Sequence, residues 1–332
     1  MASSAPRVVR PPTFTKEARV RSRKILAVWV VLLSFVGASC ASKSRVAGPA
    51  TPAPVSYPVR IGAVTIPRQP HRIVSLSASG TQMVFAINAG PQVVAVDEYS
   101  KYPSSAPRTK LSGFQPNIEA IAAYHPDLLI IESDPGGLVR AMTALHVPVL
   151  VQPAAKNLDA TYAQIEDLGR ATGHAPDARS VVSQLRRRIA GLVASVPKPK
   201  APLRVYHELD QTYYTATSAT FIGQVYALFG LTNVADKAGV TKNSGYPQLS
   251  SEYIVSANPQ LIVLADTVCC HQSSKTVAAR PGWRAIDAVR RGEVITVDDS
   301  LASEWGPRIA DYIALVAREV RRAETVYATG TR

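Results

Sequence analysis

The chain has 332 residues, 46% hydrophobic and 18% charged, which supplies one large or two medium apolar cores and excludes a disordered or fibrous protein. Its formal charge of +13 raises nucleic-acid binding, but +6 of this sits in residues 1–39 (Arg7, Arg10, Lys16, Arg19, Arg21, Arg23 and Lys24 against Glu17) and the other 293 residues share +7. The densest remaining run, Arg186-Arg187-Arg188, falls on a predicted helix and reads as a solvated face, so no nucleic-acid partner is expected.

The first element is a leader over residues 1–39. Arg21-Ser22-Arg23-Lys24 is a basic stretch, and Ile25 to Val36 is an apolar run too short to span a bilayer comfortably but suited to a signal-peptide core. Gly37-Ala38-Ser39-Cys40 follows and resembles the bacterial lipobox, in which the cysteine is lipidated and becomes the mature N-terminus. Gly37 departs from that pattern, which has an aliphatic residue three places before the cysteine; ordinary signal cleavage nearby is the alternative. Lipidation at Cys40 would add the acyl chains that stable membrane anchoring needs. Residues 40–58, rich in Pro, Ala and Ser without an apolar period, read as a flexible tether.

From there strands and helices alternate. Ile73–Leu76, Val93–Val96, Leu128–Ile131 and Val147–Val151 read as buried parallel strands, with helices over Thr81–Ala89, Ile118–Tyr124 and Leu138–Leu145 between them. A second series has strands at Leu203–Tyr206, Leu261–Leu264 and Val294–Val297, with helices around Phe221–Phe229, Glu252–Ser256 and Ile309–Arg321. The pattern predicts an α/β fold with mainly parallel sheets. Between the series, Asp177–Val196 carries Val182, Leu185, Ile189, Leu192 and Val196 on one helical stripe, with Pro176 at its start and Pro197 after it. A single long helix between two α/β lobes (59–175 and 198–332, with the helix at 176–197) leaves a cleft between them. A crossover helix within one sheet is the alternative.

An internal repeat supports two lobes. Residues 119–131 (EAIAAYHPDLLII) and 252–264 (EYIVSANPQLIVL) each place Glu, then Ile two later and Pro seven later, before a run of aliphatics. Each reads as a short helix stopped before Pro126 or Pro259 and followed at once by a buried strand. A capping residue, Asn117 or Ser250, stands two places before each Glu, so Glu119 and Glu252 belong in exposed first turns favoured by the helix dipole. A weaker echo runs from Ser79-Gly80-Thr81 to Gly90 and from Ser218-Ala219-Thr220 to Gly230, with Ser and Thr before a helix ending in Gly.

Cys269 and Cys270 are adjacent, and either a vicinal disulfide or two free thiols fit; no second Cys pair or clustered His makes a zinc site of them.

At His71-Arg72-Ile73-Val74-Ser75-Leu76-Ser77, Val96-Asp97-Glu98-Tyr99-Ser100-Lys101-Tyr102-Pro103, Asn117-Ile118-Glu119 and Pro126-Asp127-Leu128, and again at Tyr246-Pro247-Gln248-Leu249-Ser250-Ser251-Glu252 and Trp305-Gly306-Pro307-Arg308, the chain resembles the periplasmic binding proteins for vitamin B12, haem and iron-siderophore chelates. The resemblance implies two Rossmann-like lobes joined by one rigid helix, with the ligand in the cleft between them. It also implies that Glu119 and Glu252 dock onto arginines of a membrane permease, which works with an ATPase subunit. Tyr99, Phe114, Tyr246 and Trp305 match the aromatic cleft of the vitamin B12 binders, and Arg308 is placed to reach a ligand anion. One residue departs from the family: Gln82 stands where Glu is usual.

The expected protein is therefore a lipid-anchored, extracytoplasmic, monomeric substrate-binding protein of an ABC importer. It would bind a corrinoid, or alternatively a ferric siderophore or haem, with no catalytic residues, cofactor or resident metal. More distant alternatives are a free-metal binder and an extracellular α/β enzyme. The six histidines (His71, His125, His146, His174, His207, His271) are scattered, and no Gly-x-Ser-x-Gly, Gly-x-Gly-x-x-Gly or Walker motif occurs.

Overall fold

The computed structural model describes residues 56–198, 201–238 and 245–329. The leader, Cys40 and the tether up to residue 55 lie outside them. The described chain opens with a short antiparallel hairpin, β1 (Val59–Ile61) and β2 (Val64–Ile66), which the sequence did not announce. Tyr57, at the end of the expected tether, is already docked: its hydroxyl donates to the Ala171 carbonyl at 3.0 Å.

The first series builds β3 (Ile73–Leu76), α1 (Ala78–Ala86), β4 (Val93–Asp97), β5 (Arg108–Leu111), α2 (Ile118–Ala122), β6 (Leu128–Ile131), α3 (Leu138–Ala144) and β7 (Val149–Val151). Its five strands form a parallel sheet in the order β5-β4-β3-β6-β7. Two helices follow, α4 (Leu158–Thr172) and α5 (Ala175–Ala194). The second series comprises β8 (Arg204–Glu208), α6 (Phe221–Ala227), β9 (Thr232–Asn233), α7 (Ser251–Ala257), β10 (Leu261–Leu264), α8 (Ser274–Ala278), α9 (Asp287–Arg291), β11 (Val294–Thr296), α10 (Asp299–Ser303) and α11 (Ile309–Thr329). Its parallel sheet runs β11-β10-β8-β9.

The aliphatic runs form strands buried on both faces. In β6, Leu128 and Ile130 enter the large core shared with α1, α4, α5 and α11, whereas Leu129 and Ile131 pack on the other side with Ile121 and Met142. In β10, Leu261 and Val263 take the shared core, and Ile262 and Leu264 pack with Tyr206, Ile254 and Trp283. The period-2 geometry of a strand divides each run between two cores, which a sheet covered by helices on both faces requires.

The long helix expected between the two sheets forms as α5. Within 176–197, α5 starts one residue before Pro176 and ends at Ala194, spanning about 30 Å. It is packed along its length against α4, which the strand-and-helix reading missed. Leu158, Tyr162, Ile165 and Leu168 of α4 supply an apolar stripe, and Asn157 caps it by accepting from the Ala160 amide at 2.9 Å. The two helices approach most closely at Gly169, where a Cβ would stand 2.3 Å from that of Ala178. A Gly169→Ala variant is therefore expected to lose about 1–3 kcal/mol of stability, read as a lower urea midpoint at unchanged m-value. An unchanged midpoint would show that the helices can separate without loss.

The internal repeat is a structural equivalence. Asn117 Oδ1 accepts from the Ala120 amide at 2.8 Å and Ser250 Oγ from the Tyr253 amide at 3.1 Å, so both expected caps are formed. His125 and Asn258, each before its proline, adopt left-handed backbone (φ +47° and +45°) and turn the chain from helix into strand. A pair of arginines completes the match. Arg72 donates to the carbonyls of Tyr124 and His125, and Arg204 donates to those of Ala257 and Asn258, at distances between 2.6 and 3.1 Å. Each guanidinium thus satisfies the free carbonyl end of α2 or α7 and ties that helix to the neighbouring strand, β3 or β8.

The weaker echo holds in one lobe only. Thr220 caps α6, its hydroxyl accepting from the Gly223 amide at 3.1 Å. In the first lobe the cap is Ser77, not Ser79 or Thr81, and α1 starts three residues earlier than expected. Thr81 lies inside the helix, and its hydroxyl is bonded to those of Ser75 and Ser100, both at 2.9 Å.

Candidate ligand-binding cleft

In open α/β sheets, ligands collect beyond the carboxyl ends of the strands. Tyr99 follows β4 and Phe114 follows β5; both are exposed, Phe114 at 75%, and their rings meet edge to face with centroids 5.3 Å apart. The Phe114 loop is shaped by Ser112, whose hydroxyl accepts from the amides of Phe114 and Gln115 at 3.3 and 3.2 Å. Tyr246 belongs to the second lobe, in a segment held to the chain after β8 by the Thr215 amide donating to the Pro247 carbonyl at 2.9 Å. Its phenol is raised above the ordinary tyrosine value, first by burial and then by the charge of Glu132, which stands just past β6 in the first lobe. The charge of Glu132 in the first lobe is thus felt at Tyr246 in the second.

Trp305 is placed differently from the sequence expectation. It is only 7% exposed and belongs to the shared core. Its indole Nε1 donates to Gln164 Oε1 of α4 at 2.9 Å, and its backbone amide donates to Ser79 Oγ of α1 at 3.2 Å. The indole is thus wedged between the lobes with its N–H satisfied and little of the ring exposed. Arg308 lies at the entrance to α11 with its guanidinium 4.5 Å over the Tyr102 ring. It lines a cavity of about 340 Å³ with Gln82, Phe85, Tyr102 and Asp311.

Three carboxyls that the sequence reading did not single out sit among these residues. Asp97, 3% exposed at the end of β4, is raised by burial and partly brought back by hydrogen bonds from Ser100. Glu132 is raised by burial and then by Asp97. Glu304 is pushed up to about 7, chiefly by burial; Asp298 and Asp97 add to the rise, and Arg308 and Lys101 oppose it. Its carboxylate accepts a hydrogen bond from the Gln82 side chain of the opposite lobe. A carboxyl held partly protonated near neutral pH, as Glu304 is, can donate as well as accept, a useful property toward a ligand rich in amides.

Deeper in the second lobe, Glu208 at the end of β8 is fully buried and gripped by both Nη atoms of Arg280, at 2.6 and 2.7 Å. The guanidinium lies over the Trp283 and Tyr213 rings at 4.5 and 5.3 Å. Asp266, also fully buried, is pushed up to about 7 by burial and by Glu208. Beyond it the two adjacent cysteines form a vicinal disulfide, Cys269–Cys270. The loop is held by Asp299, whose carboxylate accepts from the amides of Val268 and Cys269 at 3.0 and 2.8 Å.

Glu119 and Glu252 are both exposed in the first turns of α2 and α7, as the capping pattern predicts. Among the described residues no group of three or more His, Cys, Asp or Glu side chains could hold a metal ion, and no helix is long and apolar enough to cross a membrane.

Residues 73–301, more than half of the chain, match the family described as periplasmic binding protein. The chain belongs to that family. It is accordingly an extracytoplasmic substrate-binding protein of the ABC-importer type. Among its relatives, a cobalamin-binding protein of Halobacterium salinarum is 32% identical over 264 residues, covering 77% of this chain and 70% of that protein. A vitamin B12-binding protein of Pectobacterium atrosepticum is 29% identical over 249 residues, covering 72% and 85%. An ABC transporter substrate-binding lipoprotein of Bacillus subtilis is 27% identical over 266 residues, covering 77% and 82%. Among solved structures, the periplasmic vitamin B12 binding protein of Vibrio cholerae shares the fold with TM-score 0.63 at 23% identity, over 76% of this chain and 98% of that one. The periplasmic heme-binding protein of Roseiflexus does so with TM-score 0.69 at 23% identity, over 77% and 99%. The bilobal α/β architecture is thus that of the family.

Proposed function

We propose that this protein captures a corrinoid outside the cell membrane, to which Cys40 anchors it by lipid, and presents the loaded cleft to an ABC permease and its ATPase as a monomer. It binds its ligand without transforming it. The observation that carries the reading is the pairing of exposed aromatic faces (Tyr99 and Phe114 from one lobe, Tyr246 from the other) with the acids Asp97, Glu132 and Glu304, each raised above the ordinary carboxylate value. A corrinoid offers both a broad apolar ring and a rim of amides, and rigid aromatic side chains bind such a face with little entropy to lose. Relatives named for cobalamin and vitamin B12 support the same ligand. Glu119 and Glu252, exposed at equivalent helix tips, are the permease contacts in this reading.

Haem or a ferric siderophore is the second reading, favoured by the fold shared with heme-binding proteins. Trp305 and Trp283 supply an intrinsic fluorescence signal. Titration with cyanocobalamin, haem and a ferric-siderophore panel should give saturable quenching with cyanocobalamin at submicromolar concentration. A Tyr99→Ala/Phe114→Ala variant should bind it about thirtyfold more weakly. Preference for haem or a siderophore would move the ligand assignment, and failure with all three would remove the capture reading.

A further inference from the structure

The lobes meet along a seam of which the functional reading uses only Glu304. On one side stand Ser79 and Gln82 of α1 and Gln164 of α4; on the other stands the Glu304-Trp305-Gly306 segment between α10 and α11. Gln82 is 3% exposed. Its Nε2 donates to Glu304, and its Oε1 is buried without a hydrogen-bond partner. Gly306 backs directly onto it: a Cβ there would fall 2.5 Å from Gln82 Oε1 and 2.9 Å from Gln82 Cβ. The side chain is therefore confined to a slot that points its N–H group at one carboxyl of the opposite lobe.

We propose that Gln82 is a positioning residue for ligand capture: its amide holds the Glu304 carboxyl across the seam, and the closed seam requires one amide and one acid at these two places. The charged groups around Glu304 explain why an amide is needed. Asp298 and Arg308 face it from its own lobe, Asp97 and Lys101 from the other. Two acids, Asp97 and Asp298, are thus already offset by two bases. A second carboxylate at position 82 would meet Glu304 at hydrogen-bond range with no further base to neutralise it, and two such groups cannot both ionise. An amide keeps the contact at every pH, because Nε2 donates equally well to a carboxylate or to a neutral acid's carbonyl oxygen.

The affinity part of this inference rests on the capture of cyanocobalamin proposed above; the seam itself does not. The test compares wild type, Gln82→Glu, Glu304→Gln and the exchanged double variant Gln82→Glu/Glu304→Gln, in the mature chain, from pH 5.5 to 8.5. Cyanocobalamin affinity and the thermal midpoint of the ligand-free protein are both read. Gln82→Glu should bind about tenfold more weakly than wild type at pH 8, with a lowered midpoint, and both should recover toward pH 5.5 as the two acids share a proton. The double variant should restore wild-type values at pH 8. A merely space-filling Gln82 would give neither the pH profile nor the rescue. The inference is overturned if Gln82→Glu follows wild type at every pH, or if the double variant is no better than Gln82→Glu. If the midpoints follow the exchange pattern while no protein, wild type included, binds cyanocobalamin, the seam stands and the ligand reading falls.

Discussion

Replacing both Glu119 and Glu252 by alanine is expected to abolish ligand uptake in cells while leaving ligand affinity and stability almost unchanged. Each carboxylate is exposed and lies in the first turn of a short helix, without a hydrogen-bond or ion-pair partner among the described residues. Removing it touches no core contact, and surface changes of this kind usually stay within about 0.5 kcal/mol. Neither side chain belongs to the aromatic and acidic set at the strand ends. The caps Asn117 and Ser250 are kept, so the helices keep their first turns. Each single variant should weaken delivery partially, because one charged contact remains; charge-assisted pairs across an interface lose several kcal/mol when one partner is left alone. Uptake of labelled ligand by cells expressing each variant, beside the affinity of the purified protein, decides the matter. Normal uptake with the double variant would remove both residues from the docking surface, and a parallel loss of affinity would move them into the ligand site.

Arg280→Ala is expected to cause the largest loss of stability of any single change considered, about 3–5 kcal/mol, by leaving the fully buried Glu208 unpaired beside Asp266. The dependence on pH follows from Asp266. Burial, and then the neighbouring Glu208 carboxylate, push it up to about 7 in the folded protein from the ordinary 3.8. The folded state therefore holds this proton more tightly than the unfolded chain. The associated stability is fully present below about pH 4 and is lost as pH rises through about 7. Without Arg280 both carboxyls must be neutral to remain buried, so the loss in Arg280→Ala should be greater at pH 8 than at pH 5. Asp266→Asn removes the titration and should gain on wild type at pH 8 but not at pH 4. Urea unfolding at these pH values measures each effect; a pH-independent loss in Arg280→Ala would show that Glu208 and Asp266 are not electrostatically linked.

The elements most legible in the sequence were those whose pattern is local. Ile73–Leu76, Leu128–Ile131 and Leu261–Leu264 are strands because continuous aliphatic runs fit a sheet covered on both faces, and all three form as expected. Asn117 and Ser250 were readable as caps from their spacing to the repeated Glu. Helix α4 had a readable stripe in Leu158, Tyr162, Ile165 and Leu168 and a cap in Asn157, but the role of Gly169 shows only where α5 closes on it. Trp305 illustrates a second limit. Its neighbours suggested a cleft aromatic, but its indole N–H finds a partner 141 residues earlier, and that pairing decides where the ring lies. Asp97 looks like an ordinary surface acid until the folded chain buries it, and Glu304 until Gln82, 222 residues earlier, is brought against it. The arginines that brace α2 and α7 had a signal in principle, since Arg72 and Arg204 each stand at the head of a strand preceding one copy of the repeat.

That bracing also determines what the helix tips can report. Arg72 locks α2 to the first sheet and Arg204 locks α7 to the second, so neither tip can drift independently of the sheet that carries it. Glu119 and Glu252 therefore behave as the two points of a caliper: their separation changes only when one sheet turns relative to the other. In the proposed docking role, a surface gripping both points at once would be matched to one jaw angle, and through that angle would sense whether the cleft is filled.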